Sequence, residues 1–127
     1  MEFILDIAGM PTPRPRFNGK FAYMPKTYND YQKSLVALIH EIGVEKRDYC
    51  RIKMTFHFSY PKSTPKYKRI DGAPLRSKFD SDNLAKGVMD ALEKAGVVED
   101  DRQFYQVKVD KYRTTEDNKI YVKLWEC

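Results

Sequence analysis

The sequence predicts an α/β (α+β) domain over residues 1–127, ordered β-α-β-α-β-β, with a mixed four-stranded sheet packed by two helices. Two stretches with apolar residues three and four apart supply the helices, and four stretches of apolar alternation supply the strands. No repeat, low-complexity tract or composition break divides the chain, whose length lies near the commonest domain size.

Residues 3–8 alternate and read as a first strand. Residues 9–25 contain Pro11, Pro13, Pro15 and Gly19, a loop whose prolines favour extended backbone. A helix over 27–42 places Tyr31, Leu35, Leu38, Ile39 and Ile42 on one stripe, and Gly43 stops it. Residues 51–60 set Ile52, Met54, Phe56 and Phe58 on one face of a strand that Pro61 ends. Residues 61–79 show no period, and an irregular stretch of that length in a small domain is functional or disordered. The second helix begins near Asp82 or Asn83. It buries Leu84, Val88, Ala91, Leu92 and Ala95, carries Lys86, Asp90, Glu93 and Lys94 on its other face, and closes at Gly96. Residues 104–112 and 119–125 read as two strands of an antiparallel hairpin joined through T-T-E-D-N.

Composition excludes several classes. No apolar run approaches the ~18 residues that read as a membrane span. The opening M-E-F-I-L-D lacks the basic start and cleavage site of a signal peptide, so a cytoplasmic location is expected. Cys50 and Cys127 lack metal-ligand spacing and are expected as reduced thiols. With His40 and His57 the only imidazoles, a histidine-rich zinc site is not expected, and His57 reads as structural.

The net charge of +5 is concentrated. Residues 61–79 hold Lys62, Lys66, Lys68, Arg69, Arg76 and Lys78 against Asp71, a surplus equal to that of the whole chain. Residues 11–26 hold Arg14, Arg16, Lys20 and Lys26 with no acid. Basic loops on an otherwise neutral body are the footprint of phosphate contacts. For either loop alone, solvated charge kept for solubility explains the pattern equally well. Tyr23, Tyr28 and Tyr31 beside the first loop read as packing residues in preference to base-stacking ones.

Against this basic background stands F-D-S-D-N-L-A-K, with Asp80, Asp82 and Lys86, followed after the helix by Asp100 and Asp101. Clustered carboxylates repel unless a cation lies between them, and their hard oxygens suit Mg²⁺. Phosphodiester hydrolysis needs an activated water and neutralised phosphate charge, both of which carboxylate-held metal supplies. Lys86, one turn after Asp82, would steady a phosphate oxygen. For Asp101 to join this set, residues 96–101 must run straight back along the helix, since each leg spans roughly 20 Å. Asp100 is its rival.

Each feature has a plainer explanation. Asp82 alone fits a helix N-cap or a charge at the positive end of the dipole. D-x-D-N opens like a calcium loop, but Leu84 and Ala85 occupy the next ligand and the turn-glycine positions. The spacing taken alone leaves metal binding and a structural acidic turn evenly matched. A non-enzymatic DNA-binding protein, with a structural or calcium-binding acidic turn, is the alternative reading.

The run D-S-D-N-L-A-K-G-V-M-D-A-L-E-K-A-G-V-V-E-D-D resembles the signature of the RusA-type Holliday-junction resolvases, small endodeoxyribonucleases of bacteriophages and prophages. The opening G-M-P-T-P-R-P-R-F is similar to the start of many phage members. The resemblance implies metal-binding catalytic aspartates at Asp80, Asp82 and Asp101, a functional lysine at Lys86, and Mg²⁺ with Mn²⁺ as substitute. It also implies a homodimer that resolves four-way DNA junctions by paired nicks in recombination and repair. Arg14, Arg16, Lys20, Lys66, Lys68, Arg69, Arg76 and Lys78 are the expected DNA-binding residues. The loop over 61–79 is longer and richer in lysine than in the best-known bacterial members, so its sequence preference is expected to differ.

Overall fold

The computed structural model describes residues 1–76 and 78–127. Four strands, β1 (Glu2–Leu5), β4 (Tyr49–Ser59), β5 (Gln106–Thr114) and β6 (Lys119–Glu126), form one sheet in the order β1-β6-β4-β5. Strand β4 pairs parallel with β5 and antiparallel with β6, and β1 pairs antiparallel with β6, so the sheet is mixed. Helices α1 (Lys26–Ile42) and α2 (Ser81–Lys94) share one core with the face bearing Ile52, Met54, Phe56 and Phe58. Two short strands, β2 (Arg16–Phe17) and β3 (Ala22–Tyr23), form a separate hairpin inside the stretch read from sequence as a loop.

Both helices follow the periodicity. Tyr31, Leu35 and Ile39 are buried on α1, whereas Ile42, the last residue of the expected stripe, is exposed; Gly43 ends the helix at φ 78°, its N–H donating to the Ile39 and His40 carbonyls. Leu84, Val88, Ala91 and Leu92 are buried on α2. Beyond it Gly96 adopts φ 79°, and the Val97 N–H returns to the Leu92 carbonyl at 3.0 Å, a left-handed close that glycine accepts without strain.

The expected β5–β6 hairpin does not form. Strand β4, the longest strand and the one with most buried positions, lies between the two and pairs with both. The T-T-E-D-N link instead crosses the end of β4. Ser59 fastens it there: its N–H donates to Asn118 Oδ1 at 2.7 Å and its hydroxyl to the Glu116 carbonyl at 2.7 Å. No two-residue turn of the Asn-Gly kind was present to enforce a hairpin.

The expectation of two reduced thiols is also corrected. Cys50 at the start of β4 and Cys127 after β6 form a disulfide, with Cα atoms 5.4 Å apart. Their strands are neighbours in the sheet, a proximity that 77 residues of separation hide from the sequence.

The aperiodic stretch before α2 is ordered against the outer edge of β5. Leu75 N–H donates to the Lys111 carbonyl, Arg113 N–H to Ala73, and Gly72 N–H to Arg113. This covers the second half of an otherwise open edge strand.

Gly9 carries the chain across the core. A Cβ there would lie 2.5 Å from Cδ1 of Phe56, a fully buried ring with no room to withdraw. Gly9→Ala is expected to destabilise the fold by about 1–3 kcal/mol, an overpacking cost. Urea denaturation measures it, and an unchanged midpoint would show that the segment lifts off Phe56 freely.

Candidate active site

The parallel β4–α2–β5 unit decides where the acidic residues go. Helix α2 starts beside the C-terminal end of β4, where Phe79 stacks on Phe58 with centroids 4.8 Å apart and Lys111 of β5 donates to the Phe79 carbonyl. It ends near the N-terminal ends of β4 and β5, where Gln103 Nε2 donates to the Tyr49 carbonyl at 2.8 Å. The two acidic groups of the sequence therefore occupy opposite ends of one helix.

At the first end, Asp80 is the N-cap residue, with extended backbone at φ −75° and ψ 122°. Its side chain makes no capping hydrogen bond, so its carboxylate is not committed to the helix. Asp82 lies within the first turn and is not the cap. Both are exposed at the positive end of the helix dipole, which favours anionic oxygens there. Lys86 follows one turn later, also exposed. Among the described residues none of the three forms an ion pair. Immediately upstream, Lys78 holds φ 87°, a left-handed conformation costly for a residue with a Cβ. That reversal delivers the chain to Asp80.

At the other end, Asp101 groups with Glu93 and Asp100, with one oxygen of each within 4.8 Å of the others. The Asp101 N–H donates to Glu93 Oε1 at 3.3 Å. Asp80, Asp82 and Asp101 are not brought together within one subunit: Glu93 follows Asp82 by three turns, about 16 Å of axial rise. The return along the helix that the sequence reading required does not occur. Val97 and Val98 turn into the core, each 1% exposed, and use the chain length that the return needed.

Asp100 and Asp101 differ in what they are free to do. Asp100 accepts from the Arg102 backbone N–H at 2.8 Å and pairs with its guanidinium at 2.7 Å, within a capping box completed by Gln103. The Arg102 hydrogen bonds pull its pKa down to about 2. Asp101 forms no ion pair among the described residues.

The sequence places Asp90 on the unburied face of α2, and the structure gives it more. It follows Asp82 and Lys86 at four-residue spacing on one face of α2 and is half-buried. Burial, then the charge of Asp101, pushes its pKa up, while Lys86 and Lys94 oppose the shift. The stripe Asp82–Lys86–Asp90–Lys94 thus joins the two acidic ends electrostatically. Behind it, buried Gln32 donates to the Gly87 carbonyl at 2.8 Å and to Tyr28 Oη at 3.1 Å, and accepts from Lys94 Nζ at 3.3 Å. Tyr28 and Tyr31 are core residues, as read; Tyr23 is exposed.

Both basic loops arrive at the Asp80 end. The first is tethered there: Thr12 donates to the Asn83 carbonyl through its N–H at 3.1 Å and its hydroxyl at 3.0 Å. The second leads directly into Asp80. Among the described residues Arg14, Arg16, Lys20, Lys66, Lys68, Arg76 and Lys78 are exposed and form no ion pair. Arg69 is engaged otherwise. Its Nε donates to the Thr64 carbonyl at 2.9 Å and its Nη2 to Lys62 at 3.2 Å, so its guanidinium shapes the loop from within.

The family model for the endodeoxyribonuclease RusA matches residues 6–125. A curated protein of Enterobacteria phage HK97, described as crossover junction endodeoxyribonuclease rusA, is 33% identical over 125 residues, covering 98% of this chain and 93% of its own length. Both matches span the two acidic ends of α2 and both basic loops.

Proposed function

The chain belongs to the RusA family of endodeoxyribonucleases, and from that membership we propose that it resolves four-way DNA junctions as a divalent-metal-dependent homodimer acting in recombination and repair. The observation that carries this is the convergence at one end of α2: exposed Asp80, Asp82 and Lys86, with a basic loop entering from each side. The binding-only alternative is set aside by membership of a nuclease family. Among the described residues no helix is long and apolar enough to cross a membrane.

The donor set suits Mg²⁺ or Mn²⁺: carboxylate oxygens, exposed at Asp80 and Asp82 and part-exposed at Asp101, that among the described residues form no ion pair. We assign Asp80 and Asp82 as two ligands and Asp101 as the third, because the Asp100 carboxylate already serves Arg102. Since Asp101 lies at the far end of its own α2, a second copy must supply it. A two-fold arrangement with antiparallel α2 helices would bring Asp101 of the partner subunit to Asp82, and the same axis would make two such sites. Tyr105, just before β5, and Val107, on its uncovered first half, are exposed and offer apolar contact surface for that pairing.

A divalent cation bound there supplies an ionised water near neutral pH and screens the phosphate charge. The protein's share is to hold and orient. Asp80 and Asp82 present oxygens from a rigid helix start, Lys86 offsets charge on a phosphate oxygen, and Arg14, Arg16, Lys20, Lys66, Lys68, Arg76 and Lys78 grip the backbones of the arms. Arg69 contributes its charge but chiefly fixes the loop's shape.

The test is a strand-labelled four-way junction and a linear duplex of matching sequence, each incubated with Mg²⁺ or with EDTA. Paired nicks near the branch only with Mg²⁺ are expected, with the duplex spared. Equal cutting of the duplex would remove the junction reading, and cutting in EDTA would remove the metal. Replacing Lys66 and Lys68 together by alanine should weaken binding to any DNA and lower the slope of log K against log salt by about two. An unchanged slope would take both lysines off the backbone.

A further inference from the structure

We propose that the β2–β3 hairpin is a base-stacking wedge, with Phe17 and Phe21 as the residues that insert at unpaired or splayed bases of branched DNA. This rests on the nuclease reading above and adds to it the element that selects the branch.

Three observations carry the inference. The hairpin keeps apolar residues in water: Phe17 is 71% exposed, Phe21 62% and Tyr23 45%, and every residue from 14 to 23 is exposed. Its register pairs Arg16 with Tyr23 and Phe17 with Ala22, so the aromatic rings occupy both faces and neither face packs on the body. A two-stranded ribbon with no packed face has little stability of its own, yet this one is shaped at its tip. Asn18 Oδ1 accepts from the Lys20 and Phe21 N–H groups at 3.1 and 3.2 Å, and Gly19 adopts φ 93°.

Charge identifies the occupant. No aspartate or glutamate occurs between Asp6 and Asp30, whereas Arg14, Arg16, Lys20 and Lys26 do. Aromatic rings interleaved with unpaired cations match a nucleic acid whose bases are accessible: the cations meet phosphates and the rings meet base faces. Four residues before the hairpin, Thr12 is bonded to Asn83, next to Asp82, so the chain enters the hairpin from the candidate active site. A linear duplex offers no free base face without unstacking a step. A branch point offers bases that unstack at lower cost, so the rings favour the branched form.

The test measures binding of the full-length protein, in EDTA, to a fluorescent four-way junction and to a linear duplex with the same arm sequences. Phe17→Ala with Phe21→Ala should lower junction affinity about tenfold for each stacked base lost, while duplex affinity and its salt slope stay unchanged. Phe17→Tyr with Phe21→Tyr should retain junction preference, because the ring face remains. Since the hairpin does not pack on the core, the alanine variant should melt with the unmodified protein.

Retention of the full junction-to-duplex ratio by the alanine variant would overturn the wedge. Conversion of a dimer to a monomer by the same substitutions would also overturn it, by making the second copy the occupant. An unmodified protein that binds junction and duplex equally would defeat the junction reading itself. That result is separable because it appears before any substitution is made.

Discussion

Asp82→Asn should abolish cleavage while leaving junction binding intact or tighter. The substitution keeps shape and hydrogen-bonding capacity but removes the anionic oxygen that a divalent ion requires. Outer-shell partners of metal ligands are typically worth 10–100-fold, so losing a ligand should cost more than about a hundredfold in cleavage rate. Binding responds in the opposite sense, since one negative charge leaves an exposed helix start flanked by basic loops. Single-turnover cleavage and a binding titration on the same labelled junction separate the two effects. Normal cleavage by the variant would remove Asp82 from the metal set.

The second large effect comes from mixing two dead proteins. If each site takes Asp82 from one subunit and Asp101 from the other, a dimer of an Asp82→Asn chain with an Asp101→Asn chain has one site with both defects and one with neither. Random exchange then restores roughly a quarter of the original sites. The product should be single nicks, because no mixed dimer holds two intact sites. If every site drew its aspartates from one chain, both sites of the mixed dimer would be damaged and the mixture would stay inactive. The outcome also tests the placement of Asp101 beside Glu93, on which the proposal of a shared site rests.

What could be read in advance followed from local physics. The stripe Leu84–Val88–Ala91–Leu92, the alternation Ile52–Met54–Phe56–Phe58 and the glycine stops at 43 and 96 depend only on neighbours a few residues away. Long-range arrangement was harder. Strand β4 claimed the central place between β5 and β6, and no local pattern in T-T-E-D-N forbids or demands that. The hairpin β2–β3 has two residues per strand, too few for any period, and its prolines suggested only extended chain. Asp80, Asp82 and Lys86 stood out because one helix start positions all three. Chain length allows Asp101 to reach them and the family resemblance selects it over Asp100, whereas burial of Val97 and Val98 governs its path. Asp90 and Lys111 gave no distinct signal, since their importance lies in what folds against them.

The paired Thr12–Asn83 hydrogen bonds have a geometric consequence. They tie the chain four residues before the ribbon to the start of α2, so the proposed wedge and the proposed metal site are anchored at one helix end. A crossover seated on the tip then dictates how many nucleotides separate it from the scissile bond. On the wedge proposal the ribbon would work as a gauge, and trimming it should shift the incision along the strand without altering the chemistry.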